Sequence, residues 1–170
     1  MKKPFPYSID RRRALCSTHN TRFMFWFRVA QNSNPLLRMF AKLMLHHYKV
    51  TYGLDIPYRT QIGPGLFISH GFNITINRAV RIGRNCDINK GATIGATLRG
   101  SKKGVPTIGN EVWIGAGAAL VGGITIGDDV LIAPNAYVNC DIPSHSVVIG
   151  NPCIIRSRDN ATEGYISNRI

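Results

Sequence analysis

Isoleucine, leucine or valine recurs every six residues along much of this chain, at Ile108, Ile114, Leu120, Ile126, Ile132 and Val138. A second apolar position keeps the same phase at Val112, Ala118, Ile124, Val130, Ala136 and Ile142. The pattern holds upstream at Ile76, Ile82, Ile88 and Ile94, with Val80, Cys86, Ala92 and Leu98 in the second place, and again at Ile56, Ile62 and Ile68. A period of six fits neither an α-helix nor a coiled coil. It fits a solenoid in which each hexad is a short strand plus a turn, and three hexads close one triangular coil of about 18 residues. Successive coils then pair as parallel strands and stack like side chains into ladders. Gly109, Gly115 and Gly127 directly follow aliphatic residues, which suits a turn that needs either close approach or positive φ.

The phase breaks twice. From Ile68 to Ile76 is eight residues, so two extra residues bulge at one corner. From Ile94 to Ile108 is fourteen, so a loop spanning Leu98–Pro106 leaves the coil; its composition reads as polar and flexible. Insertions in solenoids map to loops, often on the binding face, so both breaks nominate a functional site. One coil plus the bulge carries Asp55 to Thr75, at the corner that bears His70, and carries His70 to Lys90. Gly95-Ala96, Gly115-Ala116 and Ala133-Pro134 take matching places in their hexads, and the latter two pairs are one coil apart and should stack.

The chain divides into residues 1–52, a helical extension; 53–155, the solenoid; and 156–170, a polar tail expected to be mobile. Within the extension, 1–20 looks irregular or weakly helical, while 21–32 and 35–50 read as helices, with Pro35 suited to a helix start. On the second helix Leu36, Phe40, Leu43 and His47 share a face. His46 and His47 are expected on that helix's surface, and His145 is read as structural.

Lys and Arg number 21 against 9 Asp and Glu, a formal charge of +12 concentrated in the first fifty residues. Such a balance favours an anionic partner or is simply a solvated basic face. No groove-reading motif accompanies the charge, so nucleic acid is not expected. Four cysteines, Cys16, Cys86, Cys140 and Cys153, show neither CxxC nor metal-ligand spacing, which points to reduced thiols in a cytoplasmic protein and to no metal. Pro4, Pro6 and Asp10 interrupt any signal-peptide-like run, and no stretch is long enough to span a bilayer. Phe23-Met-Phe-Trp-Phe27, between Arg22 and Arg28, has two readings. It docks on an anionic inner-membrane surface as a peripheral contact, or it packs on the first coil and hides its open strand edge. Packing is the favoured one.

Residues 53–155 resemble the hexapeptide-repeat acyltransferases, most closely the serine acetyltransferase group and its short relatives in exopolysaccharide and capsule biosynthesis. The stretches that carry the resemblance are LDI at 54–56, IGPGLFISHG at 62–71, INKGATIGAT at 88–97, PTIGNEVWIGAGA at 106–118 and IPSHSVVIGNPCIIR at 142–156. The resemblance implies a mainly β protein, a left-handed parallel β-helix, forming a homotrimer with active sites between subunits. It also implies acetyl-CoA as co-substrate. His70 matches the family's catalytic histidine, implying a general base that takes a hydroxyl proton; a structural corner histidine is the alternative. Asp55 matches the aspartate that orients it. Lys90 and Gly91 would border the acceptor. Coenzyme A would lie along Gly95, Ala96, Gly115, Ala116, Ala133 and Pro134, with Lys102 and Lys103 near its phosphates. Trp113, an outward position, would pack on a subunit or a ligand.

Two departures bear on the acceptor. The long N-terminal helical domain of serine acetyltransferases is absent from these residues, and Val105 stands where they carry a second histidine in the extruded loop. A sugar hydroxyl of a surface-polysaccharide precursor is therefore the expected acceptor. A short serine acetyltransferase and a non-catalytic trimeric scaffold are the alternatives.

Overall fold

The computed structural model describes residues 10, 19–32 and 34–169. Two helices lead in, α1 (His19–Asn32) and α2 (Pro35–Tyr52). The boundaries of α2 follow its caps. The Asn34 side chain accepts from the Leu37 amide at 2.9 Å, Pro35 opens the first turn, and Gly53 closes the helix at φ 68.

The solenoid is built as three sheets. The first holds β1 (Leu54–Asp55), β4 (Ile74–Ile76), β7 (Thr93–Gly95), β10 (Ala119–Val121) and β13 (Tyr137–Val138). The second holds β2 (Gln61–Ile62), β5 (Arg81–Ile82), β8 (Thr107–Ile108) and β11 (Thr125–Ile126). The third holds β3 (Phe67–Ser69), β6 (Asp87–Asn89), β9 (Val112–Ile114), β12 (Val130–Ile132), β14 (Ser146–Ile149) and β15 (Ile154–Ser157). Through β13 every third strand returns to the same sheet and pairs in parallel, and β14 then pairs in parallel with β12; among the strands of the described residues only β15 runs antiparallel, to β14. The register repeats the hexad phase. Thr75 faces Thr93, Asp55 faces Thr75 across the bulge, and Asp87 faces Trp113 across the extruded loop.

The apolar positions of the hexads are buried, except Leu98, which leaves the coil with the extruded loop and is 77% exposed. Ile62, Ile82, Ile108 and Ile126 form one buried ladder, and Ile68, Ile88, Ile114 and Ile132 another. Each such side chain stabilises by about 1.5–3 kcal/mol relative to an exposed one. The glycines that follow the aliphatic residues are there for close approach, not for positive φ. A Cβ on Gly83 would sit 2.6 Å from the Gly109 carbonyl carbon, and one on Gly115 would sit 2.5 Å from the Pro134 nitrogen. Left-handed backbone recurs in two columns of corners, one through Asn73, Gly91, Gly117 and Asn135, the other through Asn85, Glu111, Asp129 and His145, and also occurs outside them, at His70 among others.

The aromatic segment of α1 packs on the first coil, the second of the two readings above. Phe23, Met24 and Phe27 are buried, and Phe25 and Trp26 are half-buried against the same core. Arg28 caps the open edge of the second sheet. Its Nη1 donates to the Ile62 carbonyl at 2.7 Å and its Nη2 to that of Gly63 at 2.6 Å, while Nε pairs with Asp10 at 2.9 Å. Asp10 in turn accepts from the Gly65 and Leu66 amides. Burial pushes the Asp10 carboxyl up; Arg28 opposes that shift.

The tail corrects the expectation of mobility. Its first residues complete β15, so the division at 155 falls inside a strand. The rest docks on Asp129, which accepts from the Ala161 and Thr162 amides, from Thr162 Oγ1 and from His145 Nδ1. Tyr165 packs edge-on against Trp113, with ring centroids 4.8 Å apart. Trp113, half-buried, thus has a ring partner within its own chain.

Candidate functional site

His70 occupies the two-residue bulge, at the corner between β3 and β4, and its imidazole is exposed. Its backbone is left-handed, φ 49, one step outside the regular column that passes through Asn73. A non-glycine residue there costs free energy and persists only where its surroundings hold it. Two α1 side chains do so. Asn20 Nδ2 donates to the Ile68 carbonyl at 3.1 Å, and His19 Nε2 donates to the Gly71 carbonyl at 3.0 Å. His19 also stacks on Tyr52 and contacts Phe72, at centroid distances of 4.3 and 5.0 Å. Gly71 has no room for a side chain, because a Cβ would lie 2.0 Å from Asn20 Oδ1. This clamp was not read from the sequence. Its one signal was the polar pair His19-Asn20 just before the apolar run of α1.

The parallel register stacks the next coils onto this corner. Ser69 faces Asn89, which sets Lys90 over His70. The Gly117 amide donates to the Lys90 carbonyl and the Asn135 amide to that of Ala116, both at 2.9 Å. Ala116 and Pro134 follow Lys90 along the same edge. An open groove of about 350 Å³ runs beside this column, lined by Phe72, Asn73, Lys90, Gly91, Ala116, Gly117, Pro134 and Asn135. Lys90, Gly91, Ala116 and Pro134 are thus brought together, while Gly115 and Ala133 form the strand ends beneath. Phe72, Asn73, Gly117 and Asn135 had not been singled out, although the Asn/Gly column at 73, 91, 117 and 135 was legible.

Three expected members stand elsewhere. Asp55 has the anticipated register against Thr75, but its carboxylate pairs with Lys49 of α2 at 3.0 Å and borders a second groove, between α2 and β1. No hydrogen bond joins Asp55 to His70 among the described residues. Gly95 ends a strand of the first sheet and Ala96 follows it, whereas Gly115 and Ala133 follow strands of the third, so the two pairs lie at different corners. There the Gly95 carbonyl accepts from the Gly122 amide. The extruded loop is a hairpin, not a flexible excursion. Thr97 and Gly104 exchange both backbone hydrogen bonds, at 3.0 and 2.9 Å, and the Gly123 amide donates to the Lys102 carbonyl. Lys102 Nζ is engaged by the Asp141 carboxylate at 2.5 Å and holds that acid below its usual range. Lys103 remains exposed. Among the described residues no cluster of His, Cys, Asp and Glu could hold a metal ion.

The comparisons with known proteins agree with this architecture. Residues 106–140 match the family described as bacterial transferase hexapeptide (six repeats), as the resemblance read from the sequence implies. The serine acetyltransferase of Helicobacter pylori (strain ATCC 700392 / 26695) is 40% identical over 107 residues, 63% of each chain. The solved structure of serine acetyltransferase isoform 3 from Entamoeba histolytica, in complex with cysteine, is 32% identical with a TM-score of 0.66. That match covers 77% of this chain and 47% of the other. A serine acetyltransferase solved in complex with CoA has a TM-score of 0.72 at 22% identity, covering 89% of this chain and 66% of the other; that likeness carries the fold alone. The chain spans less than two thirds of the length of these curated relatives.

Proposed function

We propose that the protein is an O-acetyltransferase that moves the acetyl group of acetyl-CoA onto an acceptor hydroxyl, with His70 as general base. One observation carries the reading: an exposed imidazole, held in left-handed backbone by a two-residue clamp, heads the column of small residues that lines an open groove. The clamp is what a catalytic group needs and a mere corner residue does not. In the reaction the His70 imidazole accepts the acceptor's hydroxyl proton as that oxygen attacks the thioester carbonyl. The carbon–sulfur bond breaks, and the imidazolium returns the proton to the departing thiolate. The pantetheine arm would lie along Lys90, Ala116 and Pro134. Lys103 and Lys90 are the cations suited to phosphate. As the structure stands, Asp55 orients Lys49 and not His70, so the proposal rests on the histidine alone. A homotrimer, in which a neighbouring copy closes the groove, is part of the proposal.

Serine is the first acceptor to test, since the relatives above carry that name. A sugar hydroxyl is the second reading, and an observation of the groove favours it. Its lining offers a cation, two asparagine amides and an aromatic ring, but no carboxylate to receive an amino acid's ammonium group. The test is thiol release from acetyl-CoA with serine, free sugars and nucleotide sugars as acceptors. His70→Ala lowers transfer by about two to four orders of magnitude without changing the fold. Unaltered turnover in that variant places the base elsewhere, and no release with any acceptor favours a scaffold.

A further inference from the structure

Among the described residues, one face of α2 has no partner. The helix buries Ala41, Leu45 and Tyr48, while Leu36, Met39, Phe40, Leu43 and Val50 stay exposed, Leu36 to 74% and Val50 to 72%. Leu36, Phe40, Leu43, His47 and Val50 are spaced by fours and threes, so they form one continuous stripe. The sequence puts Leu36, Phe40, Leu43 and His47 on one face, and that face points away from the solenoid core. Water-exposed apolar rows of this length mark a docking surface.

The charge around the stripe identifies the occupant. Between Asp10 and Asp55 the chain has eight Lys and Arg and no acidic residue. Lys42 and Lys49 lie beside the stripe two helical turns apart, Lys49 in a salt bridge with Asp55. Trp26, half-buried at the rim, meets Phe40 edge-on at a centroid distance of 5.3 Å. A second copy docked face to face would set these cationic flanks against each other, which opposes self-association. An apolar stripe with a basic flank and a tryptophan at its margin is the make-up of a helix lying in a lipid–water interface. No helix of the described residues is long and apolar enough to cross a membrane, so contact is parallel to the surface.

We infer that the α2 face, with Trp26, docks this protein onto an anionic lipid bilayer. The surface also lies close to the site. Tyr52, the last residue of α2, is 5.7 Å from Phe72 of the groove, so a docked molecule presents His70's corner near the headgroups. The inference does not depend on the proposed chemistry, because its test reads binding.

The full chain is co-sedimented with phosphatidylcholine vesicles and with vesicles of phosphatidylcholine and phosphatidylglycerol, at low and high salt. Binding is expected to the anionic vesicles only and to weaken with salt. Arg38→Gln with Lys42→Gln should weaken it about thirtyfold, from about fivefold per basic residue at such a surface. Leu36→Gln with Leu43→Gln and Val50→Gln should weaken it at least about tenfold, while circular dichroism and the thermal midpoint stay unchanged, since these side chains are exposed. Binding that survives loss of the apolar stripe overturns the inference, as does equal binding to neutral vesicles. So does the absence of vesicle binding, whether the face stays bare or sedimentation velocity shows assembly beyond the proposed trimer that the triple Gln variant abolishes.

Discussion

Replacing Asp129 with asparagine keeps the side-chain volume and a left-handed backbone, φ 52, that asparagine tolerates, while removing one charge. Burial alone pushes this carboxyl up. Hydrogen bonds from Thr162 Oγ1, the Thr162 amide, His145 and the Ala161 amide outweigh burial and hold it at about 2, against an ordinary 3.8. That depression is worth on the order of 2 kcal/mol, about 1.4 kcal/mol for each tenfold change in proton affinity. Asp129→Asn imposes at neutral pH the loss that protonation would cause. Because Thr162 and Ala161 supply most of those hydrogen bonds, the docked tail then opens more often, by roughly tenfold or more, read as faster hydrogen exchange of the Ala161 and Thr162 amides. The sign with pH follows from a depressed acid. The stabilisation is fully present above about pH 4 and is lost as pH falls through about 2. The wild-type tail therefore loosens over that window, and the variant, having no acid to protonate, does not. Equal exchange in the two proteins at neutral pH, or the same acid dependence in both, would refute the account.

Gly71→Ala drives a methyl group into Asn20 Oδ1, so it should cut acetyl transfer about tenfold or more by displacing His70. Adding Asn20→Ala removes the obstructing atom and should restore part of the rate; kcat and the thermal midpoint of both variants decide the point. Arg28→Met leaves the Asp10 carboxylate buried without its cation and should lower stability by about 3–5 kcal/mol in urea unfolding. Asp10→Asn added to it should recover much of that loss, and an unchanged midpoint contradicts the capping role. Ala116→Glu narrows the groove and adds like charge to the CoA phosphates, so KM for acetyl-CoA should rise about tenfold while kcat falls less; an unaltered KM moves the thioester out of this groove.

Most of the solenoid was legible because its information is local and repeated. Each hexad asks for the same two inward residues, so phase alone specifies which strands pair, where the bulge falls and where the loop departs. That is why Asp55 faces Thr75 and Lys90 lies over His70, as counting by coils anticipates. The three-sheet division also explains, after the fact, why Gly95 cannot share an edge with Gly115. A hexad position repeats at every strand, and only the sheet to which that strand belongs decides the corner.

What periodicity could not contain is any contact between a repeat and a segment outside it. His19 and Gly71 are separated by 52 positions, Lys102 and Asp141 by 39, and no repeating pattern links them. The resemblance paired Asp55 with His70 and the register agreed, yet register places a backbone and not the direction of a carboxylate, which α2 captured through Lys49. The second helix was equally ambiguous: an apolar stripe reads the same whether a core covers it or not. Only packing showed that Ala41, Leu45 and Tyr48 carry the inward contact and that the stripe of Leu36, Leu43 and Val50 faces out. The chain's repeats thus determine the prism by themselves, because each rung needs only its neighbours. The tuning of the site belongs to tertiary structure, because it depends on non-repeating segments folding back onto that prism.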